Sequence, residues 1–64
     1  MTFQPGDIVR TTRDLDFIDN DLPVLTRLKL NRVRVTSHGN RWSASDSHGV
    51  NHHNIPEDSI ERIA

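Results

Sequence analysis

The chain has no cysteine and no tyrosine, and only one tryptophan, three glycines and three prolines among 64 residues. Without cysteine there can be no disulfide framework, CxxC redox pair or thiolate zinc site, which fits a reducing compartment. No apolar run approaches the roughly 20 residues that cross a bilayer. The opening segment MTFQPGDIV lacks a basic stretch followed by an apolar one, so no secretory leader is expected. These absences favour a cytoplasmic protein without a membrane span. A chain this short has room for one domain, residues 1–64, around one small core.

The residues that are present are strongly patterned. The formal net charge is −1, but the signs are segregated along the chain. Between Leu22 and Ser45 lie Arg27, Lys29, Arg32, Arg34 and Arg41 and no acid. Asp14, Asp16, Asp19 and Asp21 form a run with no base, and from Asp46 onward four acids accompany Arg62 alone. Two oppositely charged surfaces are the expected result.

Apart from a weak helical spacing of Leu22, Leu25 and Leu28, diluted by Pro23, the code is strand and turn. Pro5-Gly6-Asp7 reads as a turn and Ile8–Arg13 as the first strand. Asp14–Pro23 reads as a long acidic loop, and residues 24–37 as a long central strand or a bent pair of strands. Ser37-His38-Gly39-Asn40 is a hairpin turn, Arg41–Ser45 a strand, Ser47-His48-Gly49 a turn and Val50–Ile55 a strand. Pro56-Glu57-Asp58 suits a 3-10 turn, and Ile60–Ile63 closes the chain.

The central strand changes step. Leu28 and Leu30 are even-numbered, whereas Val33 and Val35 are odd, and the bases switch from odd (Arg27, Lys29) to even (Arg32, Arg34) at the same place. One extra residue near Asn31, a β-bulge, keeps both sets on their own faces and bends the strand enough to serve two walls of a small barrel. Two strands joined by a tight turn at Asn31 remain a second reading. Trp42 is expected in the core against Val9, Leu30, Val35 and Ile55.

Residues 41–63, RWSASDSHGVNHHNIPEDSIERI, resemble the second half of SH3-like barrels. Trp42 and Ala44 match the strand that carries a Trp and an Ala, Ile55-Pro56 the "IP" step, and Ile60 the aliphatic residue of the closing strand. Phe3-Gln4-Pro5-Gly6-Asp7-Ile8-Val9 is similar to the family's "FxxGDxL" segment. The resemblance implies an all-β, five-stranded SH3-like barrel with a 3-10 turn before the last strand. Arg41 stands where the family's first Trp would be and Ser59 where its Tyr would be, so the aromatic groove that grips polyproline is missing. The resemblance therefore points to the small accessory modules of bacteria and phages, by analogy of fold.

Other motifs carry little chemistry. His38, His48, His52 and His53 invite a metal reading, but neighbouring strand residues 52 and 53 point to opposite faces. The acidic loop DLDFIDND lacks the Gly and terminal Glu of an EF-hand. Ser43, Ser45, Asp46, Ser47 and His48 are neighbours in sequence, which is not triad geometry, and no Gly-rich phosphate loop is present. No cofactor and no catalysis are expected. The basic stripe of Arg27, Lys29, Arg32, Arg34 and Arg41 is the strongest candidate site, with Phe17 and Ile18 as apolar contacts at the tip of the acidic loop. A protein partner is the favoured ligand and nucleic acid the alternative, and assembly into an oligomer is compatible with the same features.

Overall fold

The structure is a computed structural model that describes residues 3–16 and 21–63. Phe17 and Ile18 lie outside the described residues. Among the described residues there are seven strands: β1 (Ile8–Thr11), β2 (Leu15–Asp16), β3 (Asp21–Leu22), β4 (Arg27–Thr36), β5 (Gly39–Ser45), β6 (Asn51–Pro56) and β7 (Ile60–Arg62). A 3-10 turn, Glu57–Ser59, precedes β7. Five strands form one antiparallel sheet in the order β6-β5-β4-β1-β7, and β2 and β3 pair with each other. The expected all-β class and 3-10 turn are therefore present. β6 and β7 stand at opposite ends of the sheet, which does not close among the described residues. No helix there is long and apolar enough to cross a membrane.

The central strand is one strand with a bulge. Leu30 pairs with Ala44 and Arg32 with Ser43, which leaves Asn31 as the extra residue. Neither the helical spacing of Leu22, Leu25 and Leu28 nor the tight turn at Asn31 is realised. Leu25 instead sits in a turn with left-handed backbone, φ 67°.

The core contains Val9, Leu15, Leu22, Leu28, Leu30, Trp42, Ala44, Ile55 and Ile60, with Phe3 packed against it. Trp42 is only 2% exposed, lies between Val33 and Ile55 on neighbouring strands, and donates from Nε1 to Glu57 Oε2 at 3.4 Å. One expectation needs correcting. The bulge does turn Val33 and Val35 to the Trp42 side, but Val33 is 39% and Val35 80% exposed. β4 runs on past the last covering residues, so Val35 is no core partner of Trp42. The acidic loop also differs from expectation, because Leu15 and Leu22 pair across the antiparallel strands β2 and β3 and bury their side chains.

Candidate partner-binding face

On the side of the sheet away from the core, β4 supplies the bases. Arg27 and Lys29 precede the bulge, and Arg32 and Arg34 follow it. Directly opposed residues share a face, so Arg34 and Arg41 lie together, as do Arg32 and Ser43. A second irregularity lies on the other side of β5. Trp42 pairs with Ile55 and Ala44 with His52, so Ser43 faces two residues, His53 and Asn54. Asn54 absorbs the extra residue with left-handed backbone, φ 62°, a conformation Asn tolerates better than most residues. Ser43 is thus flanked by an inserted residue on each side.

Around it lies a basin of about 500 Å³ lined by Asn31, Arg32, Arg34, Arg41, Ser43, Asn51, His53 and Asn54. Hydrogen bonds fix its floor. Asn31 Nδ2 donates to Ser45 Oγ at 2.8 Å, and Ser45 Oγ donates to Asn51 Oδ1 at 2.8 Å. Ser43 Oγ lies 3.0 Å from His53 Nδ1, and Arg34 reaches Asn54 Oδ1 at 3.4 Å. No carboxylate lines the basin among the described residues. None of Arg27, Lys29, Arg32, Arg34 and Arg41 joins an ion pair among the described residues. The other cations are engaged: Arg10 with Glu61, Arg13 with Asp58 and Arg62 with Asp7.

The five bases therefore form two groups. Arg32, Arg34 and Arg41 converge on the basin, whereas Arg27 and Lys29 flank a separate depression with Ile8, Ser45, Asp46 and Ser47. Asn31, Ser43, Asn51, His53 and Asn54 were not expected in the site. The apolar pattern carries no signal for the second bulge: the inner-face residue across it from Ile55 is His52, and Val50 precedes β6 and is exposed.

The histidines separate as strand alternation requires. His53 is exposed on the basin side, and His52 is buried with Nε2 2.9 Å from Asp46 Oδ2. No group of three metal-ligating side chains occurs among the described residues. Asp46 also accepts from the backbone N–H groups of His48 (2.8 Å) and Val50 (3.0 Å). The bond to His52 is the main cause that holds its carboxyl below the usual aspartate range, and the N–H of Val50 adds to it. This cluster fixes the β5–β6 turn beside the basin's far rim.

Comparison with protein-family models, curated proteins and solved structures gives no match to the chain. The geometry alone carries the functional reading.

Proposed function

We propose that the chain is a small non-enzymatic binding module with an SH3-like barrel architecture, whose basin receives an acidic segment of a partner protein. The strand order, the bent β4 and the 3-10 turn before β7 support the architecture. One observation carries the function. Three arginines converge on a hydrogen-bonded polar floor that no carboxylate lines among the described residues. Arginine presents donors in a planar fork that matches carboxylate geometry, so such a cluster favours acidic side chains.

Nucleic acid offers phosphates to the same cluster, and two features weigh against it. Single strands bind on stacking aromatics, and the only tryptophan is buried. Nine acids against eight bases also repel a long polyanion away from the basin. The test is a fluorescence titration at low salt of labelled glutamate-rich peptide, DNA and RNA, against the wild type and Arg32→Gln/Arg34→Gln. The expected result is peptide binding weakened about tenfold or more in the double variant, as for loss of central charged contacts. Micromolar nucleic-acid binding that disappears in the variant overturns this reading.

A further inference from the structure

We propose that the edge of β4 beyond its bulge accepts an added strand: an extended partner segment that alternates acidic and apolar side chains. This inference rests on the basin as the contact for an acidic protein, and adds the binding mode. β1 pairs with β4 only along Arg27–Lys29, and the last bonds run from Gly6 N–H to Leu30 O (2.7 Å) and from Leu30 N–H to Asp7 O (2.9 Å). From Asn31 to Thr36, β4 has β5 on one side and no strand on the other among the described residues.

Thr36 and Gly39 oppose each other across the two-residue turn Ser37-His38. The pair that flanks such a turn exchanges its backbone bonds, and backbone direction alternates along an antiparallel ladder. Arg32, Arg34 and Thr36 therefore turn their backbone groups to β5. Val33 and Val35 present one N–H and one C=O each to the open side.

The side chains specify the occupant. On one face of the edge stand Arg32 and Arg34, exposed and without carboxylate partners among the described residues. On the other stand Val33 and Val35, exposed as given above. A strand added antiparallel sets its residues alternately beside these two faces, so carboxylates meet the arginines and apolar side chains meet the valines. Edge strands are commonly guarded by charge on them. Here the charges also select, because a second copy paired antiparallel through the same edge would bring arginine against arginine.

The test uses the full chain and two synthetic decapeptides, one alternating glutamate and valine, the other a block isomer of the same composition. In calorimetric titration the alternating peptide should bind about tenfold tighter or more, because main-chain pairing gives affinity and alternate contacts give specificity. Val35→Pro removes an outward N–H without touching the pairing with β5 or any arginine, and should abolish that advantage. Because proline can also disturb folding, the wild type provides an independent measurement. In antiparallel pairing the peptide's valines turn their N–H groups to β4, so N-methylation of the valines should abolish binding and N-methylation of the glutamates should spare it.

Equal binding of the two isomers, or equal tolerance of both methylation patterns, overturns the added strand. If Arg32→Gln/Arg34→Gln still weakens binding in that case, the basin reading stands alone; if neither peptide binds at low salt, both fall. Self-association of the wild type that Val35→Pro abolishes assigns the edge to a second copy and also overturns the proposal.

Discussion

Thr11→Val probes how the short β2–β3 arm is tied to the sheet. Thr11 is fully buried in β1, and its hydroxyl donates to Pro23 O at 2.7 Å and accepts from Thr26 N–H at 2.9 Å. Its backbone is engaged as well, donating to Thr26 O at 3.0 Å and accepting from Leu25 N–H at 2.9 Å. Four bonds from one residue thus hold the turn in which Leu25 adopts φ 67°, a conformation that costs a non-glycine residue about 1–2 kcal/mol. Valine keeps the shape and the strand preference, and removes only the hydroxyl. Losing two hydrogen bonds costs about 1–3 kcal/mol in total, and burying the new methyl returns about 0.8 kcal/mol. Neither partner is wholly orphaned, since Pro23 O still accepts from Thr26 Oγ1 at 2.6 Å and Thr26 N–H keeps a 3.3 Å approach to Pro23 O. A net destabilisation of about 1–2 kcal/mol follows, which lowers the melting temperature by about 5–15 °C for a domain of this size. Paired thermal melts measure the shift, and amide hydrogen exchange should show Thr26 and Leu25 losing protection before the core strands. A variant as stable as the wild type, with Thr26 protection unchanged, refutes the assignment of Thr11 as the arm's anchor.

Trp42→Ala should cost about 3–5 kcal/mol, against a total of about 3–10 kcal/mol for a chain of this length, so a circular-dichroism melt should find its transition lowered by more than about 10 °C or lost altogether. A cooperative transition within a few degrees of the wild type would contradict the core position of Trp42. For Asp46 the sign follows from its lowered pKa: the folded carboxyl releases its proton more readily than the unfolded one. Its stabilisation is complete above the ordinary carboxylate range, near pH 4, and is lost as pH falls through the depressed value. Urea denaturation of Asp46→Asn at a series of pH values should therefore give a flatter profile below about pH 4 than the wild type. Parallel profiles would mean that the bonds to His52, His48 and Val50 leave no net preference for the charged form.

The bulge at Asn31 was legible because two independent residue classes change parity together: leucine to valine on one face, base to base on the other. How far burial extends was not legible. Periodicity assigns Val33 and Val35 to a face but does not reveal where the opposing layer ends, and that layer ends before Val35. The burial of Leu15 and Leu22 has no sequence signature, because their strands are two residues long, too short for any period. The basin was hidden for a related reason. Its bases could be counted along the chain, but their convergence depends on two inserted residues, Asn31 in β4 and one of the His53–Asn54 pair in β6, on either side of Ser43. Each insertion keeps the next apolar residue on the Trp42 side of the sheet, Val33 beyond the core and Ile55 within it, while it brings a polar side chain to the outer face. The requirement that keeps apolar residues on the inner side thus also builds the rim outside: the irregularities that preserve the sheet's two-sidedness form the basin where Arg32, Arg34 and Arg41 meet.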